Sequence, residues 1–126
     1  LYVRDVMHSG ARIPLVPETA SLREALLEMT GKGLGMTGVL DATGKLAGIY
    51  TDGDLRRTLN KEVDVYNAKI SDVMTRNPKT CRADQLAAEI VQLMEKHNIN
   101  GLMVVDTDNR VLGALNMGDL LRAGVV

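Results

Sequence analysis

The sequence has no tryptophan, no phenylalanine and only three tyrosines. Few aromatic faces are therefore available for stacking the bases of a single-stranded nucleic acid. A surplus of positive charge is also missing. Fifteen lysines and arginines stand against 16 aspartates and glutamates, giving a net charge of −1. A dedicated nucleic-acid binder carries a basic excess, so that class is excluded. The single cysteine, Cys81, rules out an intramolecular disulfide framework and fits a reducing, cytoplasmic setting. No apolar run approaches the roughly 18 residues that a membrane-spanning helix needs. Leu1-Tyr-Val-Arg-Asp5 has neither an initiator methionine nor the pattern of a signal peptide. The chain is expected to be a module of a longer protein, with a catalytic partner domain elsewhere.

What is present fits a folded domain. Hydrophobic residues make up 45% and charged residues 25% of the 126 positions, and no Ser-, Pro- or Gln-rich tract appears. That length predicts one domain or two small, intimately packed halves.

An internal repeat decides between them. Val3-Arg-Asp-Val-Met7 returns as Ile70-Ser-Asp-Val-Met74, and Gly48-Ile-Tyr-Thr-Asp-Gly-Asp-Leu-Arg-Arg57 returns as Gly113-Ala-Leu-Asn-Met-Gly-Asp-Leu-Leu-Arg122. The offsets are 67 and 65 residues, so only small loop changes separate the copies. Both copies run in the same order: apolar helix, short strand, acidic turn, second strand, helix. Leu22, Leu26 and Met29 share one helical face, with Ser21 and Glu24 in the spacing of an N-terminal capping box. Leu86, Ile90 and Leu93 repeat that face, with Asp84 as the expected cap. Strands are predicted at Thr37–Leu40 and Leu46–Thr51 around the turn Asp41–Gly44. Their counterparts are Leu102–Val105 and Val111–Asn116 around Asp106–Asn109. The expected organisation is α/β (α+β), with two pseudo-symmetric repeats, each a small sheet packed with helices. Residues 1–59 form the first repeat, 60–69 a polar crossover and 70–126 the second. A 60-residue half is marginal alone, so the copies are expected to bury their faces together and leave two equivalent clefts for small ligands.

Within the repeat, Thr51-Asp-Gly-Asp54 and Asn116-Met-Gly-Asp119 fall where a strand gives way to a helix. Thr-x-x-acid is itself a capping box, and these residues have work to do with no ligand present. A helix start is also an anion site, and a carboxylate is how dinucleotide folds hold two vicinal ribose hydroxyls. Arg57 and Arg122 lie three residues beyond each aspartate, on the same helix face. Arg56 is replaced by Leu121 in the second copy and is outside the repeat. Met36-Thr37-Gly38 and Asn98-Ile-Asn100-Gly101 occupy the helix-to-strand joints, where Gly33, Gly35 and Gly101 suit a helix C-cap. Gly31-Lys-Gly-Leu-Gly35 follows a helix rather than a strand and is no dinucleotide fingerprint. Asp106-Thr-Asp-Asn109 lacks the glycine and closing glutamate of a calcium loop, and Val111 and Met117 stand there instead. His8, His97 and Cys81 have no metal-ligand spacing, and no nucleophile–base set is present. The expectation is no catalytic residue, no metal and no required cofactor.

The two copies of this order, each ending in Gly-apolar-x-Thr/Asn-x-x-Asp-Leu and opening on Asp-Val-Met, resemble a pair of cystathionine-β-synthase (CBS) domains. That resemblance covers essentially the whole chain. It implies a regulatory module with a nucleotide such as AMP or ATP in the clefts. The site residues it points to are Thr51, Asp54, Arg57, Met36 and Thr37 in one copy and Asn116, Asp119, Arg122, Asn98 and Asn100 in the other. The aspartates would hold ribose hydroxyls, the threonine would lie near sugar or phosphate, and the joints would lie against the base. The second copy departs from the family pattern at Asn116, where Thr or Ser is usual. Leu34-Gly-Met-Thr37, Thr51–Arg57 and Asp119–Val126 are also similar to the C-terminal half of arabinose-5-phosphate isomerases. In that family an N-terminal sugar isomerase domain precedes the CBS pair, and the enzyme serves the pathway to the sugar acid Kdo. The resemblance therefore implies a non-catalytic fragment, a partner isomerase domain, CMP-Kdo as a cleft ligand and a homodimer formed through CBS pairs. The alternative function is a structural oligomerisation module without a ligand.

Overall fold

Ser21 starts the first long helix: its hydroxyl accepts the Glu24 backbone N–H at 3.0 Å, which is the half of the expected capping box that forms. In the computed structural model, which describes residues 1–126, the elements in chain order are α1 (Val3–Val6), a 3-10 turn (Gly10–Arg12), β1 (Leu15–Pro17), α2 (Leu22–Lys32), β2 (Met36–Leu40), β3 (Leu46–Thr51), α3 (Asp52–Leu59), α4 (Ile70–Val73), β4 (Thr75–Arg76), β5 (Thr80–Cys81), α5 (Ala87–His97), β6 (Gly101–Val105), β7 (Val111–Asn116) and α6 (Met117–Arg122). The mixed α/β class agrees with the sequence reading.

The chain divides into two compact units. Pro14–Pro78 is one, and Leu1–Ile13 together with Lys79–Val126 is the other. In the first, the sheet order is β1-β2-β3-β4, with β1 parallel to β2 and the remaining pairs antiparallel. Its core joins Leu22, Ala25 and Met29 of α2 to Val39, Tyr50 and Ile70. In the second unit the sheet order is β5-β6-β7, with β5 parallel to β6 and β6 antiparallel to β7. His8 takes the place that β4 has in the first unit, exchanging main-chain hydrogen bonds of 2.8 and 3.0 Å with Ala114. Ile90 and Met94 of α5 pack there on Val3, Leu102, Leu115 and Leu120.

The repeat of sequence and the unit of packing are thus different divisions of the chain. Each Asp-Val-Met segment crosses the last strand of the other copy's sheet, Met74 over Gly48 and Met7 over Gly113. At Gly48 a β-carbon would lie 2.7 Å from Met74 Sδ and 2.8 Å from the Thr75 carbonyl oxygen. At Gly113 the distances are 2.5 Å to Met7 Sδ and 2.8 Å to the His8 carbonyl oxygen. Only glycine permits so close an approach, which accounts for the glycine that opens both long repeats.

The turns form as their composition requires. Asp41 Oδ1 accepts from the Thr43 and Lys45 N–H groups, with Gly44 at φ 83°, and Asp106 Oδ1 does the same for Asp108 and Arg110, with Asn109 at φ 61°. The expectation of Asp84 as a helix cap is corrected. The N-cap of α5 is Leu86, without a side-chain bond, and the Leu1 carbonyl accepts the Ala87 N–H at 2.8 Å. A distant main-chain segment supplies the acceptor, so no capping side chain is required. The strands β1, β4 and β5 add to the sequence reading. Residues 60–69 are anchored as well: Asp64 accepts from the Tyr66 and Asn67 N–H groups, and the Ala68 carbonyl accepts the Leu22 N–H.

Candidate functional site: two buried aspartates at strand-to-helix junctions

Where β3 ends, Thr51 adopts an extended conformation and becomes the N-cap of α3. Its hydroxyl accepts the Asp54 N–H at 3.1 Å, while its own N–H donates to Asp54 Oδ2 at 3.0 Å. This is the capping box expected from Thr-x-x-Asp. The Asp54 side chain is only 8% exposed, and its carboxylate gathers further donors. Thr51 Oγ1 donates to Oδ2 at 3.0 Å, and Arg57 Nη2 and Thr75 Oγ1 donate to Oδ1 at 2.7 and 3.1 Å. Behind it, the Thr58 hydroxyl donates to the Asp54 carbonyl at 2.9 Å, so the buried Tyr50 hydroxyl, 2.8 Å away, donates to Thr58. Burial pushes the Tyr50 phenol above its ordinary pKa.

The second unit repeats this arrangement with different chemistry. Asn116 is the N-cap of α6: its side-chain oxygen accepts the Asp119 N–H at 2.9 Å, and its N–H donates to Asp119 Oδ2 at 2.8 Å. Arg122 Nη2 and His8 Nε2 both lie 2.8 Å from Asp119 Oδ1. Next to a carboxylate the histidine donates, which places its proton on Nε2. Burial alone raises the Asp119 pKa. The Asn116 amide, His8 and Arg122 outweigh it and hold the carboxyl below its ordinary value.

Six of the residues singled out from sequence are therefore assembled into two networks: Thr51, Asp54 and Arg57 in one unit, and Asn116, Asp119 and Arg122 in the other. Met36 faces Thr51 in the β2–β3 register, and the Thr37 hydroxyl donates to the Gly38 carbonyl; both side chains are buried. The Asn100 carbonyl accepts the Met117 N–H at the start of α6, the counterpart of Gly35 and Asp52. Asn98 is the left-handed C-cap of α5 at φ 53°, where α2 has Gly33, and it makes no hydrogen bond with Asp119.

The sequence profile of the CBS domain matches residues 3–61 and 70–126. The chain belongs to the CBS domain family. Its solved neighbours agree with this tandem CBS fold. The CBS domain pair of protein MJ0100, determined with 5′-methylthioadenosine and S-adenosyl-L-methionine, has a TM-score of 0.87 at 27% identity, over 98% of this chain and 95% of that one. CBSX2, determined with AMP, has a TM-score of 0.82 at 24% identity, over 98% and 96%. Among curated relatives, arabinose 5-phosphate isomerase KdsD of Pseudomonas aeruginosa is 59% identical over 126 residues, all of this chain and 39% of that protein. The KdsD of Escherichia coli strain K12 is 52% identical over all of this chain and 38% of its own length. The chain thus spans less than two fifths of the length of these isomerases. No helix is long and apolar enough to cross a membrane.

Two members of the CBS networks escaped the sequence reading. Thr75 and His8 each directly follow a repeated Asp-Val-Met, and each donates to the aspartate of its unit. The signal was their equal place after the repeat. It was hidden because the partners lie 21 and 111 residues away in sequence.

Proposed function

We propose that this CBS pair is a ligand-sensing regulatory module that binds a nucleotide or nucleotide sugar at its strand-to-helix junctions. Asp54 and Asp119 accept the ribose hydroxyls, and Arg57 and Arg122 face the phosphate. The observation that carries this reading is the repeated buried carboxylate, presented twice at the end of a strand with an exposed arginine over it. The nucleoside-bound MJ0100 pair, at 27% identity, supports a ribose-containing ligand. The KdsD relatives support placing the chain in the cytoplasm, as the regulatory region of an arabinose 5-phosphate isomerase. The interconversion of ribulose 5-phosphate and arabinose 5-phosphate then takes place in a sugar isomerase domain, not in these residues. AMP, ATP and the downstream product CMP-Kdo are the ligands to compare, and homodimerisation would carry the signal between enzyme subunits. Titration calorimetry of the chain with each compound, against Asp54→Asn/Asp119→Asn, tests the reading. The double variant is expected to bind about tenfold or more weakly, as for a lost hydrogen bond to a charged group. Equal binding would reject the assignment.

One observation favours a second reading, an oligomerisation module without a ligand: each carboxylate is already partnered within the chain. Solution mass measured with and without nucleotide separates the two. Assembly unaffected by compounds that also fail to bind would leave the scaffold.

A further inference from the structure

We infer that Arg57 and Arg122 are specificity-determining residues that make the junctions select phosphorylated ribosides over the corresponding nucleosides, an inference that rests on the nucleotide-sensing reading above. A carboxylate offers about four acceptor positions. At Asp54 the donors are the Thr51 N–H and hydroxyl on Oδ2, and Arg57 and the Thr75 hydroxyl on Oδ1. Two vicinal hydroxyls bring two more donors to a group already filled. Something must leave before they bind.

The donors differ in how readily they can go. Those of Thr51 belong to the capping box that starts α3, and Thr75 is held in β4 by its pairing with Ile49. Arg57 is tied to nothing else in this network, and its side chain is 67% exposed. Arg122 is alike, 71% exposed on Asp119 Oδ1, whereas His8 beside it is fixed by two main-chain bonds to Ala114. An exposed arginine paired with a buried aspartate is therefore the partner that a sugar displaces at each junction.

The displaced guanidinium stays close to the sugar. Each guanidinium folds back over the first turn of its helix, beside Gly53 in α3 and Gly118 in α6. A β-carbon at Gly53 would lie 3.5 Å from Arg57 Nη2, and one at Gly118 3.2 Å from Arg122 Nη1. A phosphate on the same sugar gives the freed guanidinium a bidentate partner. A nucleoside gives it none. The arginine thus competes with every riboside for the carboxylate and compensates only those that carry a phosphate. The repeat supports this role, because Arg57 and Arg122 recur with matching geometry, at 2.7 and 2.8 Å, while the neighbouring Arg56 becomes Leu121.

The test is titration calorimetry of the 126-residue chain with AMP and adenosine, and with CMP and cytidine as a second pair. The unaltered chain is compared with R57A/R122A and R57Q/R122Q, and thermal midpoints verify that the variants fold. Nucleotide Kd is expected to rise about tenfold or more, the scale of a lost charge-assisted hydrogen bond. Nucleoside Kd is expected to fall about two- to fivefold, the scale of an exposed ion pair that no longer competes. Opposite signs are the signature. Nucleoside affinity that falls or stays constant in both variants would overturn the inference while leaving nucleotide sensing in place. If no compound bound the unaltered chain, or if D54N/D119N bound as tightly as it does, the sensing reading would fall and take the inference with it.

Discussion

Gly113 offers a direct trial of the packing argument. Replacing it with alanine places a methyl group 2.5 Å from Met7 Sδ and 2.8 Å from the His8 carbonyl oxygen. The methionine can turn aside, but the carbonyl belongs to a strap whose N–H and C=O both bond to Ala114, at 2.8 and 3.0 Å. Lifting the strap loses two main-chain hydrogen bonds, each worth about 1 kcal/mol net. Leaving it in place compresses the contact, and overpacking of that kind costs about 1–3 kcal/mol. Either route predicts a loss of about 2 kcal/mol, or roughly 8 °C in thermal midpoint for a chain this size. Gly48→Ala in the other unit meets the same pair of obstacles, Met74 Sδ at 2.7 Å and the Thr75 carbonyl at 2.8 Å, and should lose a similar amount. Gly31→Ala is the control. It lies within α2, nothing stands within 4 Å of the added carbon, and it should gain about 0.5–1 kcal/mol from helix propensity. Urea unfolding at neutral pH reads all three. Gly113→Ala as stable as the parent, or shifted in the same direction as Gly31→Ala, would refute the crossing-segment account.

Other perturbations probe the groups around the junctions. Tyr50→Phe removes the buried donor to Thr58 and should cost about 0.5–1.5 kcal/mol in urea unfolding, with the Thr58 hydroxyl still bound to the Asp54 carbonyl; no loss would mean that the Tyr50 bond contributes nothing. Burial pushes the Cys81 thiol up to about 12, so alkylation at pH 8 should be at least about a hundredfold slower in the folded chain than in urea, and equal rates would place the thiol in solvent. The Asp119 carboxyl is held low in the folded chain, so its contribution is complete above the unfolded-state pKa and disappears as pH falls through the lower, folded value. Between pH 6 and pH 3 the parent should therefore lose more stability than Asp119→Asn, and equal losses would contradict the assigned network.

Much of this was legible because local chemistry acts locally. Ser21, Thr51 and Asn116 each bond the N–H three residues ahead, so spacing alone predicts the cap. Asp41 and Asp106 close their turns in the same way. Asp84 misled because the start of α5 is satisfied by the Leu1 carbonyl, a main-chain group that leaves no mark on a side-chain pattern. Strands of two or three residues, such as β4 and β5, are too short to show alternation, and their neighbours in the sheet define them. His8 and Thr75 were hidden for a related reason. Nothing near either residue in sequence asks for a donor, and each is placed by the glycine beneath the preceding methionine.

The repeated positions separate into two kinds, and the separation has physical content. Gly48 and Gly113, and Asp54 and Asp119, are unchanged between copies, and each meets a demand of the backbone: a crossing segment, a helix start. Around each carboxylate the changes concern other groups. Thr51 becomes Asn116, Thr75 becomes His8, and Asp52 becomes Met117. Asp52 and Arg56 of α3, opposite in sign, become Met117 and Leu121 in α6, so the two helices keep the same balance of acidic and basic side chains, and the difference left is an imidazole, able to carry positive charge, in place of a hydroxyl. Attraction of an anion to a partly buried site follows its local charge balance. A phosphorylated ligand should therefore prefer the Asp119 junction over the Asp54 junction. Competition calorimetry with AMP on Asp54→Asn and Asp119→Asn separately would show it, since the larger loss is expected from Asp119→Asn. A larger loss from Asp54→Asn would mean that the cap residue, Thr51 against Asn116, sets the preference and His8 does not.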